Sequence, residues 1–179
     1  MVYLILGDGF EEIEAITPVD VLRRCGAEVC MAGIGGLQIV GAHGIRIAAD
    51  CTVEQIDQSR LEMVILPGGM GGVASIQASE AALEAVRRAY ADGKYVAAIC
   101  AGPMVLAGLG ITDGKKVTSY PGTEDRMGSA VYQDDCAVVK DGRLITSRGP
   151  GTSMAFALEL ARTLCGASAE RTAEDMLIR

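Results

Sequence analysis

Short apolar runs alternate with stretches of helical period along the whole chain. Val2–Leu6, Glu28–Ala32, Glu62–Leu66 and Tyr95–Ile99 read as buried strands, being brief, largely apolar and rich in β-branched residues. Glu11–Arg24 and Ser79–Ala91 carry apolar positions at helical spacing, with Ala82, Leu83, Val86 and Ala89 on one face of the second. Met104–Leu109 reads as a short helix, Thr152–Leu164 as a long one, and Ala169–Leu177 as another. Leu37–Val40 and Ile45–Ile47 flank "GAHG" as a hairpin, Lys116–Ser119 is a short strand, and "CAVVKDGRLITS" is a second hairpin turning at Asp141-Gly142. Such alternation predicts an α/β fold, a mostly parallel sheet covered by helices on both faces. Repeats, low-complexity tracts and linkers are absent from the sequence, so residues 1–179 read as one domain.

In sheets of this kind, sites lie beyond the C-terminal ends of the strands. Three segments should meet there: "GDGFEE" after the first strand, "PGGMGG" after Leu66 and "CAGP" after Ile99. Cys100 sits at the seam between a strand and the Met104 helix, with small residues on both sides. A sharp turn there would push its side chain out over the sheet edge, as in a nucleophile elbow. Exposed N–H groups and the helix dipole would favour its thiolate. The glycines at 68, 69, 71 and 72 read either as a tight turn needing positive φ or as open N–H donors for an oxyanion.

On the first helix, Ala15, Pro18, Val19, Val21 and Leu22 form one apolar arc, with Glu12, Asp20, Arg23 and Arg24 opposite. Glu14 projects into the apolar arc. A carboxyl buried there would keep its proton to a higher pH and could donate to a thiolate or shuttle a proton. Glu11 and Glu12 are accounted for by the helix dipole. The one histidine, His43, lies in the "GAHG" turn and reads as solvated, or as reaching a partner's pocket in a dimer.

Composition narrows the partners. A net charge of −7 repels phosphate backbones, and five Tyr with two Phe offer few platforms for stacking bases, so nucleic acid is excluded. No apolar run approaches the roughly 18 residues that cross a bilayer. "MVYLIL" reads as a first strand without a basic leader, so a cytoplasmic location is expected. The six cysteines include no C-x-x-C pair, which points away from a metal site, and most read as buried free thiols. "GDGFEE" has Glu12 in place of the third glycine of a dinucleotide motif, and "GLGITDGKK" lacks the first glycine and the Ser or Thr of a phosphate loop. No nucleotide cofactor is expected.

In combination, "EEIEAITPVDVLRRCG", "LPGG", "AAICAGP" and "ITSRGPGTSMAFALEL" resemble the ThiJ/PfpI superfamily, in its Parkinson disease protein 7 branch, over roughly Val2 to Leu164. That resemblance implies a flavodoxin-like fold and a homodimer. It makes Cys100 the reactive, oxidisable cysteine, Glu14 the glutamate that hydrogen-bonds it, and Gly69 and Ala101 the backbone donors of an anion site. It implies conversion of glyoxal and methylglyoxal to hydroxy acids without a cofactor or metal. Some members are described as deglycases acting on glycated substrates, others as chaperones or redox sensors. One position departs from the branch: Tyr120 stands where a histidine usually precedes the proline. A phenol of pKa near 10 cannot act as a base near neutral pH. His43 falls where the branch often has a basic residue near the dimer interface.

Two expectations follow. In one, the Cys100 thiolate adds to an aldehyde and Glu14 moves the proton. In the other, Cys100 is oxidised to a sulfinic acid that Glu14 and the helix N-terminus hold, and the protein senses oxidants with little turnover. Tyr120 tilts the balance toward the second. Amidotransferase-like chemistry needs a histidine after Cys100, and none follows it.

Overall fold

Val2, Leu4 and Leu6 pack on one side of the central sheet, and Tyr3 and Ile5 pack on the other. This is the period of two that a strand imposes, with both faces covered. The computed structural model describes residues 1–178. Its elements run β1 (Val2–Leu6), α1 (Glu12–Arg24), β2 (Val29–Gly33), β3 (Gln38–Val40), β4 (Arg46–Ala48), β5 (Cys51–Thr52) and β6 (Met63–Leu66). There follow α2 (Met70–Ala78), α3 (Glu80–Ala91), β7 (Tyr95–Ile99), α4 (Pro103–Gly108), β8 (Lys116–Val117) and β9 (Val131–Tyr132). The chain closes with β10 (Val138–Asp141), β11 (Leu144–Ser147), α5 (Ser153–Cys165) and α6 (Ala167–Asp175).

The main sheet has seven strands in the order β10-β11-β7-β6-β1-β2-β5. All neighbours are parallel except the β10–β11 hairpin. One face is covered by α1, α5 and α6, where Leu22, Phe156 and Leu160 are fully buried. The other is covered by α2, α3 and α4 through Ile76, Val86 and Leu106. Each large apolar side chain buried in this way contributes roughly 1.5–3 kcal/mol. Both predicted hairpins are present, β3 with β4 and β10 with β11. α1 runs unbroken through Pro18.

Two elements differ from the sequence expectation. "MGGVASIQA" is helix α2 and not only a turn. Its glycines allow the first turn to press on the loop after β1: a Cβ on Gly72 would lie 2.8 Å from the Cα of Phe10. The strand expected over Lys116–Ser119 is only Lys116–Val117, paired with β9 outside the main sheet. Thr118 instead donates its N–H to the Thr146 hydroxyl at 2.9 Å.

The strand order reverses between β1 and β6. From β1 the chain crosses to β2 and β5 on one side, then returns to β6, β7 and β11 on the other. A crevice opens where loops diverge at such a reversal. Here its walls are the segments after Leu6, Leu66 and Ile99.

Candidate active site

The loop after β1 is pinned to the loop after β6: Glu11 donates its N–H to the Gly68 carbonyl at 3.0 Å. Cys100, next after β7, adopts φ +64°, a left-handed conformation that a residue with a Cβ enters at a cost of about 1–3 kcal/mol. Three contacts hold it there. Its N–H donates to the Ser147 carbonyl at 3.0 Å, its carbonyl accepts from Tyr120 at 2.9 Å, and Gly102 closes the turn by donating to Ile99 at 2.9 Å. Gly102 is obligatory in practice, since a Cβ would approach the Leu66 carbonyl oxygen to 2.7 Å. The sharp strand-to-helix turn expected from the small flanking residues is therefore present, and strained backbone of this kind concentrates at functional sites.

Glu14 reaches this turn from α1. Its side chain is fully buried, as its place in the apolar arc predicts. Oε2 accepts the Gly68 N–H at 2.8 Å, while Oε1 has no hydrogen-bond partner among the described residues. Gly68 is the spacer that lets carboxyl and thiol meet. A Cβ there would lie 2.5 Å from Glu14 Oε2, 2.6 Å from Cys100 Cβ and 2.9 Å from Cys100 Sγ. The backbone N–H groups of Ala101 and Gly69 face the sulfur. Gly69, at φ +82°, ends the turn and caps α2.

Burial pushes the Glu14 carboxyl up to about 7, against the hydrogen bonds from Cys100 and Gly68. Burial also pushes the Cys100 thiol up to about 12, reinforced by the Glu14 charge and opposed by the Ala101 and Gly69 donors. The thiolate favoured on dipole grounds alone thus meets desolvation and a carboxylate. Between about pH 7 and about pH 12 the pair holds one proton and one negative charge between them. With the proton on Glu14, its repulsion of a sulfur anion disappears and the carboxyl becomes a donor to it.

The chain has known relatives. The sequence profile of the DJ-1/PfpI family matches residues 1–163. The chain belongs to the DJ-1/PfpI family. Drosophila melanogaster dj-1beta is 42% identical over 165 residues, 91% of this chain and 88% of that protein. Its crystal structure superposes with a TM-score of 0.96 over 99% of this chain and 97% of its own. The Parkinson disease protein 7 homolog of Danio rerio is 39% identical over 179 residues, 98% of this chain and 95% of that one. A deglycase of Pyrococcus abyssi is 35% identical over 164 residues, 91% and 98% of the two chains.

Of the other residues singled out in this DJ-1/PfpI sequence, Tyr120 lies beside the pair and His43 sits on Glu12. Tyr120 is half exposed and touches the turn through its backbone. A Cβ on Gly149 would lie 3.2 Å from the Tyr120 ring and 4.0 Å from Glu14 Oε1, so this glycine fills the gap between them. An open groove of ≈ 460 Å³ runs beside Tyr120, lined also by Asp135, Arg148 and Pro150. Arg148 donates to the Asp134 carbonyl. Arg148 and Gly149 were not legible beforehand, because only the placement of β11 beside β7 brings them to the site.

His43 is exposed, as expected of its turn, but anchored. Its backbone N–H donates to Glu12 Oε1 and its Nδ1 lies on Glu12 Oε2, both at 2.8 Å. That hydrogen bond, with the charges of Glu11 and Glu12, raises the imidazole above its ordinary value. Glu12 is consequently buried and not on the solvated side that the helical projection assigned to it. No helix among the described residues is long and apolar enough to cross a membrane.

Proposed function

We propose that this protein is a cofactor-free, cysteine-dependent glyoxalase or deglycase acting on reactive aldehydes such as methylglyoxal. The observation that carries this reading is the fully buried Glu14, with one oxygen unpartnered, beside a thiol on a left-handed turn. The Cys100 thiol passes its proton to the Glu14 carboxylate as the sulfur adds to the aldehyde carbon, and Glu14 returns that proton to the new alkoxide while the Gly69 and Ala101 N–H groups support it. Glu14 then takes the proton from that carbon and returns it to the neighbouring carbon, while the hydroxyl proton of the first carbon passes to the oxygen of the neighbouring one. The result is a lactoyl thioester on Cys100. Water hydrolyses it, releasing lactate and restoring the thiol. A carboxyl poised near 7 suits a group that must both give and take a proton. The relatives named deglycases support this class of chemistry.

A second reading rests on Tyr120. With no imidazole at that position, the same N–H donors would hold the oxygens of a Cys100 sulfinate, and the protein would report oxidants. Lactate formation from methylglyoxal, measured with metal chelated, separates the two. Turnover by the wild type that is absent in Cys100→Ser and roughly 10²-fold lower in Glu14→Gln supports the enzyme. No turnover, with peroxide adding two oxygens at Cys100, rejects it in favour of the sensor.

A further inference from the structure

Cys30 and Cys51 are 21 residues apart in sequence and 3.0 Å apart at sulfur. Both are half-buried free thiols. The fold creates the pair. Ala32 of β2 faces Cys51 of β5, and side chains two apart on a strand share a face, so Cys30 meets Cys51 diagonally. The pair is remote from the reacting cysteine: β6 and β1 lie between β7, which Cys100 follows, and β2.

We propose that Cys30 and Cys51 form a second redox site, a dithiol that closes to a disulfide when a peroxide supplies the oxidising equivalent. Cys30 is the proton holder. Burial, the adjoining Cys51 sulfur and the Asp50 carboxylate push its thiol up to about 12, against the Arg23 guanidinium. Its S–H then donates to Cys51, which supports a developing anion there. The Cys51 sulfur attacks the peroxide, an S–O bond forms, the O–O bond breaks, and the departing oxygen leaves with the Cys51 proton. Cys30 attacks the resulting sulfenic sulfur, an S–S bond forms, the S–O bond breaks, and water leaves with the Cys30 proton. Two thiols lose two electrons in total, and the peroxide is reduced to an alcohol or water plus one water.

The bond would act on the weakest strand of the sheet. β5 has only the pairs Ala32–Cys51 and Gly33–Thr52 to hold it. Diagonal neighbours stand just beyond the separations a disulfide usually spans, so closure draws this edge inward. It also closes the loop bearing the β3–β4 hairpin and His43, restricting a segment whose base is otherwise held by Asp50. That carboxylate accepts the Met31 N–H and the Arg23 guanidinium, each at 2.8 Å.

The test is non-reducing peptide mapping of the full chain after hydrogen peroxide, with remaining thiols blocked by N-ethylmaleimide. The expected product is a Cys30–Cys51 linked peptide, two hydrogens lighter than its free parts and released by dithiothreitol. It should form in wild type and in Cys100→Ser alike, and disappear in Cys30→Ser. Recovery of both cysteines as maleimide adducts at peroxide levels that oxidise Cys100 overturns the proposal. So does a linkage of the other neighbouring pair, Cys25 and Cys165, in their place. In wild type the same oxidation should slow exchange of the Asp50 amide, which donates to the Met31 carbonyl at 2.8 Å, by roughly tenfold or more. Unchanged exchange overturns the clamping of the edge strand.

Discussion

Glu14 sets the pH behaviour of the site because its carboxyl is sealed from water. In the unfolded chain it ionises near 4.5, while in the folded protein it keeps its proton to about 7. Stability is greatest below the unfolded value, where both states carry the proton. It is lost as pH rises through the folded value, because the unfolded chain releases the proton first. At about 1.36 kcal/mol per unit, the loss across this window approaches roughly 3 kcal/mol. Glu14→Gln removes the titration and should remove the slope. Urea midpoints measured from pH 4.5 to 8 should therefore diverge in the variant's favour as pH rises, and parallel curves would contradict this placement of Glu14. The neighbouring Tyr120 makes a kinetic claim at the same scale. It holds Cys100 through its backbone, which a histidine at that position would preserve. Tyr120→His should raise kcat for methylglyoxal at pH 7 by roughly tenfold or more, since imidazole takes and returns a proton there. KM should move less, because the new group acts on the transition state. An unchanged kcat would assign proton transfer to Glu14 without help from this side.

At the scale of elements, the site depends on how closely backbone segments approach. Gly68 is the sharpest case, lying where β6 hands over to α2 with no room for a methyl group against Glu14 and Cys100. Gly68→Ala should cost about 1–3 kcal/mol through overpacking and should slow alkylation of Cys100 by iodoacetamide. Gly151→Ala is the control, since a Cβ there meets nothing within 4 Å, and it should stay within about 0.5 kcal/mol of wild type. Chemical denaturation and labelling rates measure both effects. These contacts also mark how far the sequence could be read. The main strands, α1 and the two hairpins follow from local period and turn residues, and the Cys100 turn follows from its small neighbours. α2 was hidden because Gly71 and Gly72 are poor helix formers, and the reason for them is a contact with Gly9 and Phe10 far away in sequence. Glu12 was misplaced because a projection of one helix cannot show the hairpin that folds His43 over it. Gly149 and Arg148 required the sheet order itself. What the sequence conceals is thus the set of approaches between distant segments.

At the scale of the whole molecule, the chain presents an apolar face beside its candidate site. Ile13 and Ile16 on α1 and Val40 and Ile45 at the hairpin are exposed, although a solvated surface would favour polar residues at several of them. Ile13 and Ile45 line one cleft with Glu11, His43 and Pro150, and Pro150 follows the glycine that touches Tyr120. Covering this face with a second copy would bury the isoleucines and bring a partner's hairpin near the groove at Tyr120. We therefore expect a homodimer, with the α1–hairpin face at its centre. Sedimentation at micromolar protein should give a species of about twice the 18.6 kDa chain mass. Ile13→Glu with Ile45→Glu should return it to the monomer, because a carboxylate at each point would have to be desolvated to associate. Both positions are exposed in the single chain, so the double variant should keep its far-ultraviolet circular dichroism. A wild type that sediments only as a single chain would refute the interface. Activity then tests what the second copy adds. If His43 serves a partner's site, the folded monomeric variant and His43→Ala should lose methylglyoxal turnover to a similar extent. If the monomer keeps full turnover, each site is complete within its own chain, and Glu14 carries the proton there.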